Sequence, residues 1–164
     1  MSFDFMVLIA QTLSAFFLAA WLTTGVFENI FHSSLNSTFT AEVLEMTRMQ
    51  DDYPEAFETV AYRRVENPKL QQLLFYFIVG WEALATLALW IGTGAMALAI
   101  FGWADAEVAR GFGLMGALFF TSIWAGFLVA GNWFCYWFCH EGAQNTHYQM
   151  TLWGMATMLM LVAG

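Results

Sequence analysis

Four long apolar stretches dominate this sequence of 164 residues. They extend over about 5–27, 70–94, 111–132 and 147–163, and the fourth is the shortest. A helix needs about 20 predominantly apolar residues to cross the hydrocarbon core of a bilayer. Because lipid offers no hydrogen-bond partners, each spanning segment must satisfy its backbone groups internally, as a helix does. The pattern predicts an all-α, polytopic membrane protein in which residues 1–164 form one integral membrane domain.

The composition is typical of a chain that lies in a lipid bilayer. Hydrophobic residues make up 60% of the chain and charged residues 11%, whereas soluble domains average about 45–50% and about 25%. The net charge is −8, with only five Lys and Arg residues. Binding to nucleic acid requires clustered basic side chains, so we expect no nucleic-acid partner. The two cysteines are too few for a disulfide framework.

The connection between the first two apolar stretches is long and polar. Within residues 28–69, the segment DDYPEAF predicts a helix that begins near Pro54. The segment ENPKL predicts that Asn67 caps a helix opened by Pro68. The other two connections are short, which favours antiparallel neighbours. The expected fold is an antiparallel bundle of four transmembrane helices, with a helical cap over residues 28–69 between helices 1 and 2.

Charge also bears on the orientation in the membrane. Four of the five basic residues lie in residues 28–69, and the positive-inside rule then favours a cytoplasmic cap with both termini outside. Eight acidic residues share that segment, although acidic residues count for little in the rule. The reverse orientation therefore stays open.

Glu82 is the most informative polar residue within the apolar stretches. It lies about twelve residues into the second helix, roughly 18 Å along its axis and near the middle of the bilayer. A carboxylate there costs at least about 2.5–3.5 kcal/mol, so we expect it to face the bundle interior. Hydroxyl side chains at similar depth predict a polar layer around it: Ser14, Thr121, Ser122 and Thr157. Glu82 could serve as a proton or cation site, or it could be a structural carboxyl group that fixes the register of the helices. We favour the structural role, because no second charge within the membrane is present to form a relay.

Cysteine and histidine residues are concentrated on the cap side of the predicted bundle. The candidate ligands are His32, Cys135, Cys139, His140 and His147. If the third helix continues past Trp133, the two cysteines share one face, and a turn within EGAQN would bring His147 back towards them. Such ligands suit zinc or copper, and two histidines suit haem. Neither haem-attachment nor zinc-finger spacing is present, so we favour a helical hairpin with an interfacial aromatic belt and predict no cofactor.

Small residues spaced by four occur in the third apolar stretch, at Ser122, Gly126 and Ala130. Small side chains at this spacing allow helices to approach closely in membranes. We interpret them as internal packing of the bundle, in preference to a surface for another membrane protein.

Several segments resemble a known family. ENPKLQQLLFYFIVGWEALATL, AGNWFCYW and EGAQ are similar to motifs of the bacterial predicted small integral membrane proteins called domain of unknown function 2165. The matching positions are Pro68, Glu82, Gly131, Trp133, Phe134, Trp137 and Gly142. The resemblance covers nearly the whole chain and implies the four-span architecture, with no assigned activity. Asn132 stands where the family usually has an acid, and Cys135, Cys139 and His140 lie outside the family pattern. Basic N-termini in the family imply a cytoplasmic N-terminus, opposite to the orientation from loop charge.

These features lead to one expected function and two alternatives. A small aromatic and Met-rich bundle without a recognisable catalytic constellation is typical of a non-catalytic accessory or stabilising subunit. Its host would be a respiratory or photosynthetic electron-transfer complex of the bacterial inner membrane, and its partners would be lipid, other membrane subunits or further copies of itself. The alternatives are a metal- or haem-binding protein that uses the Cys/His face, and a small proton- or cation-linked transporter that uses Glu82.

Overall fold

The computed structural model describes residues 2–163, which contain helices and no strand. An all-α fold was predicted and is confirmed for these residues. Eight α-helices and one 3₁₀ turn follow in chain order: α1 (Phe3–Phe31), α2 (Ser33–Glu45), α3 (Thr47–Asp52), α4 (Pro54–Val60), the 3₁₀ turn (Ala61–Arg63), α5 (Pro68–Ile100), α6 (Ala106–Trp133), α7 (Tyr136–Cys139) and α8 (Glu141–Val162).

Three helices in the described chain are long and apolar enough to cross a membrane: α1, α5 and α6. They contain the first three predicted stretches. The fourth stretch lies in α8, whose first two turns carry polar side chains such as Glu141, Gln144 and His147, and its crossing of the bilayer stays a prediction. Helix α6 packs against α5, α8 and α1, and α1 packs along α5. These four helices enclose one apolar core that includes Leu18, Leu22, Leu89, Met96 and Phe120.

Two helix starts follow the signals in the sequence. Pro54 is the first residue of α4. The Asn67 side chain accepts hydrogen bonds from the backbone N–H groups of Lys69 and Leu70, and Pro68 opens α5. A proline is favourable there because the first helical N–H has no partner inside the helix. Both predicted starts are confirmed.

The cap consists of α2, α3, α4 and the 3₁₀ turn, residues 33–63, since α1 continues to Phe31. It has its own small core, in which Met46, Met49 and Phe57 pack with Cys135. The Gln71 side chain ties the cap to α5 by donating to Glu45 Oε1 at 2.8 Å and to the Val65 carbonyl at 2.7 Å. The cap is therefore docked on the end of the bundle.

Glycines bring α5 and α6 into backbone contact. A Cβ atom added at Gly92 would lie 2.6 Å from Gly113 Cα, and one at Gly116 would lie 2.8 Å from Leu89 Cα. Neither distance leaves room for a methyl group. Such close approach is a usual way for membrane helices to gain packing contacts.

The small residues Ser122, Gly126 and Ala130 are all exposed on α6. The interpretation as internal packing is wrong for Gly126, because a Cβ atom there would meet nothing within 4 Å, and the close backbone contacts of α6 with α5 use Gly113 and Gly116. Ser122 does contact α5, since its Oγ accepts a hydrogen bond from Trp81 Nε1.

Gly92→Ala is expected to destabilise the protein. The added methyl group must push α5 and α6 apart, and overpacking of this kind costs about 1–3 kcal/mol. Gly94→Ala is the matched control on the same helix, because Gly94 is exposed and its Cβ position is open. Thermal unfolding in mild detergent measures both. Equal melting temperatures for the two variants would contradict the backbone contact.

Candidate functional site

A chain of hydrogen bonds connects α5, α1 and the cap. Glu82 is 5% exposed, and its Oε2 accepts a hydrogen bond from Asn29 Nδ2 at 2.7 Å. Asn29 Oδ1 in turn accepts from Asn36 Nδ2 at 2.6 Å. The carboxyl group of Glu82 is thus tied through one buried amide to the first helix of the cap.

The break between α1 and α2 makes this chain possible. Helix α1 ends at Phe31, and His32 has the non-helical dihedral angles φ −127° and ψ 40°. The change of direction at His32 lets the side chains of Asn29 and Asn36 meet although they belong to different helices. Sequence reasoning missed both asparagines, because they lie in the predicted cap, residues 28–69, where no local pattern indicates which side chains meet.

A cavity of about 280 Å³ lies beside Glu82, between α1, α5 and α6 and beneath α2. Its polar groups include Asn29, Asn36, Glu82 and His147. The remaining lining is mostly apolar, and its large aromatic side chains include Trp21, Phe39, Phe75, Trp124, Phe127 and Tyr136. Apolar walls with a few converging polar groups are typical of small-molecule sites.

The serines that were expected near Glu82 bond elsewhere. Ser14 Oγ lies 3.2 Å from Met160 Sδ. Ser122 Oγ accepts from Trp81 Nε1 at 3.0 Å and donates to the Phe119 carbonyl. The side chain that bonds Glu82 is that of Asn29, and neither serine takes part in this contact.

The cysteines do not share one helix face. Helix α6 ends at Trp133, and Cys135 has a left-handed backbone with φ 53°. Cys135 packs in the core of the cap, and Cys139, which ends the short helix α7, packs against the same core. The predicted turn within EGAQN is also wrong, because α8 begins at Glu141 and continues through that segment.

The three histidines lie in two places. His32 is exposed between α1 and α2, whereas His140 and His147 both stack on Tyr136, with ring centroids 5.2 Å and 5.6 Å away. Within residues 2–163, no group of three or more His, Cys, Asp or Glu side chains is arranged to hold a metal ion. The structure does bring His147 back to α7, as a wall of the cavity.

Burial favours the uncharged forms of three titratable side chains in and beside α7: Tyr136, Cys139 and His140. Burial raises the pKa of Tyr136 to about 12. Burial and the nearby Asp52 carboxylate raise the pKa of Cys139. Burial, together with the positive charge of Arg48, lowers the pKa of His140, which Glu42 partly opposes. This aromatic cluster therefore supplies an uncharged wall.

Most of the motif positions have a structural role at this end of the bundle. Gly131 allows Tyr136 to approach, because a Cβ atom there would lie 2.9 Å from the Tyr136 ring. Phe134 lines the cavity. The guanidinium of Arg63 lies 4.9 Å from the centroid of the Trp133 ring and donates to the Trp133 carbonyl. Trp137 packs edge-on against Phe138, while a Cβ atom at Gly142 would meet nothing within 4 Å.

A second polar contact lies at the opposite end of the bundle. Gln11 is fully buried on α1 and donates to the Met160 carbonyl at 2.8 Å. Its Oε1 accepts from Arg110 Nε, also at 2.8 Å. This contact joins α1, α6 and α8 at the other end from the cap, and sequence reasoning missed it.

Comparison with known proteins gives one result. A family model described as "Predicted small integral membrane protein (DUF2165)" matches residues 7–163. This match confirms the resemblance seen in the sequence motifs. Curated proteins and solved structures give no match.

Asn36→Ala is expected to loosen the docking of the cap. The variant leaves the oxygen of Asn29 without its donor, and an unsatisfied buried group costs about 1–3 kcal/mol. Hydrogen exchange of the α2 amides should accelerate by about tenfold or more, since 1.4 kcal/mol corresponds to a factor of ten. Thr38→Ala, at an exposed position on the same helix, should leave exchange unchanged. Equal exchange rates of the α2 amides in both variants would show that this chain of hydrogen bonds does not hold the cap in place.

Acid is expected to destabilise the protein through His140. The pKa of His140 is lowered in the folded state. The contribution of His140 to the free energy of unfolding is therefore complete above its unfolded pKa of about 6.5, and it is lost as the pH falls below that value. His140→Gln should lose less stability than the wild type between about pH 7.5 and about pH 5 in thermal unfolding. His32→Gln, at an exposed histidine, should keep the wild-type pH dependence. If His140→Gln also keeps the wild-type pH dependence, His140 is not the group whose protonation destabilises the protein in acid.

Proposed function

This chain belongs to the family of predicted small integral membrane proteins, and from that premise we propose that it binds a small hydrophobic molecule beneath its cap. The observation that carries the proposal is the cavity of about 280 Å³ that combines one buried carboxyl group with aromatic walls. Binding sites for small molecules have this character, with a few polar groups that fix orientation in an apolar surround.

Packing also favours an occupant. The same helices approach to backbone contact at Gly92 and Gly113, so this bundle is able to pack tightly. Side chains that line an apolar cavity gain van der Waals contacts from a molecule that matches its shape. The cap would cover such a ligand.

The proposed setting is the inner membrane of a bacterium, with α1, α5, α6 and α8 crossing it as an antiparallel bundle. The long contact of α8 with α6 supports a fourth crossing, as does the apolar second half of α8. In this setting the cavity lies close to the end of the membrane span, below the cap. A hydrophobic ligand would then reach it from lipid or from the interface.

A second candidate function is that of a non-catalytic accessory subunit of a respiratory or photosynthetic electron-transfer complex. The exposed small residues Ser122, Gly126 and Ala130 on α6 support it, because such a stripe allows a helix of another subunit to approach closely. Purification from native membranes in mild detergent, followed by mass spectrometry, tests this function. Stoichiometric larger subunits would support it, and a partner-free preparation would contradict it.

Gly25→Leu is expected to abolish ligand binding by filling the cavity. Gly25 lines the cavity, and a Cβ atom there would meet nothing within 4 Å. Gly80→Leu is the control, because Gly80 is exposed on α5 with equally open space. Mass spectrometry of organic extracts from protein purified from native membranes measures the bound molecule.

The wild type and Gly80→Leu should carry the same hydrophobic molecule in about equal amount to protein, and Gly25→Leu should carry none. Identical extracts from all three proteins would contradict the proposed function.

A further inference from the structure

The carboxyl group of Glu82 has no basic side chain as a partner. The side chain that donates a hydrogen bond to this carboxyl group is the neutral amide of Asn29. The ion pairs between side chains of residues 2–163 are Arg48 with Glu42 and Arg64 with Glu66, both away from the cavity. No Lys or Arg side chain lines the cavity.

A buried carboxylate without a counter-charge is unfavourable. Transfer of an isolated ionised group to an apolar interior is so costly that the group either becomes neutral or acquires an opposite charge. Glu82 lies against a cavity that admits a molecule. A cation in that cavity would therefore gain a full opposite charge in a low-dielectric surround, where such an attraction is strong.

The aromatic walls also favour a cation. The rings of Trp21, Trp124 and Phe127 line the cavity, and the negative face of an aromatic ring attracts ammonium groups. Trp21 and Trp124 pack edge to face at 5.1 Å between ring centroids, and Trp124 packs in turn against Phe127 at 5.6 Å. This continuous wall suits the methyl or methylene groups of an organic cation.

The charge of the cap, whose helix α2 covers the cavity, also favours a cation. Residues 33–63 contain six acidic and two basic side chains. An excess of one sign around a cleft raises the local concentration of ions of the opposite sign. Anions would be repelled from the same surface.

An inorganic cation fits this cavity poorly. Ions such as Ca²⁺ and Mg²⁺ require six or more oxygen ligands. The side-chain oxygens of the lining belong to one carboxyl group, Glu82, and to the neutral groups of Asn29, Asn36, Thr40 and Tyr136, of which Asn29 and Thr40 already bond Asn36. The apolar remainder of the lining cannot replace a hydration shell. An ammonium group carried on a hydrophobic body needs few oxygen partners and fills the apolar space.

We propose that the cavity beneath the cap is a site for a hydrophobic organic cation, an amine or quaternary ammonium compound. Its charged group lies beside the Glu82 carboxylate, and its body packs against Trp21, Trp124 and Phe127. This assignment rests on the proposed function and names the ligand class of the same cavity.

The test uses a pair of probes with the same shape and different charge. Benzyltrimethylammonium carries a positive nitrogen, and neopentylbenzene has carbon in its place. Equilibrium dialysis of radiolabelled benzyltrimethylammonium against the full chain in neutral maltoside micelles measures binding, with empty micelles as the blank. Neopentylbenzene is added as a competitor.

We expect saturable binding of the cation that excess neopentylbenzene does not displace. Glu82→Gln should weaken binding at least tenfold, and Gly25→Leu should abolish it. Glu107→Gln, which removes an exposed carboxylate at the start of α6, should have no effect. The competition between the two probes is measured on the wild-type protein. It therefore still tests the proposal if the Glu82→Gln variant fails to fold.

The contrary outcomes separate the two proposals. If neopentylbenzene displaces the cation at equal concentration and Gly25→Leu still abolishes binding, the cavity binds hydrophobic molecules regardless of charge; the cation assignment is then overturned and the proposed function stands. If Gly25→Leu binds benzyltrimethylammonium as the wild type does, both proposals fall. If the wild type does not bind benzyltrimethylammonium, the cation assignment is overturned, and the extracts from native membranes decide the proposed function.

Discussion

The need to satisfy a carboxyl group inside an apolar bundle determines much of this structure. Glu82 is buried, so its oxygens require partners from the protein or from a ligand. Asn29 supplies one hydrogen bond and is held in place by Asn36 from the cap. Residues of α1, α2 and α5 must therefore come together at this group. The docking of the cap and the position of the cavity both follow from that requirement.

The two ends of the bundle are built differently. At one end, Gly92, Gly113 and Gly116 let α5 and α6 pack backbone to backbone. At the other, large aromatic side chains from α1, α5 and α6 surround a cavity that the cap covers. Tight packing at one end stabilises the bundle, so that the other end is able to hold a space without collapsing.

Much of the fold could be predicted, because it depends on signals local in the chain. The lengths of the apolar stretches, the proline starts at Pro54 and Pro68, and the burial of Glu82 all follow from the energetics of short segments in lipid. The partner of Glu82 could not be predicted in the same way. The meeting of Asn29 with Asn36 depends on the angle of the chain at His32, a tertiary feature that no local pattern encodes. The left-handed backbone at Cys135 could not be predicted, because no glycine stands there to indicate it. The exposure of Ser122 depends on how α6 is rotated about its axis relative to its neighbours.

We infer that the Glu82 carboxyl group is the point where the cap and the cavity are coupled. Infrared difference spectroscopy measures this coupling, once the carboxyl band of Glu82 has been assigned by comparison with Glu82→Gln. We expect this band to shift when Asn36 is replaced by alanine, because hydrogen bonds that form a chain polarise one another. We also expect a shift on addition of benzyltrimethylammonium. A Glu82 band that responds to neither change would show that the cap and the cavity are not coupled at this group.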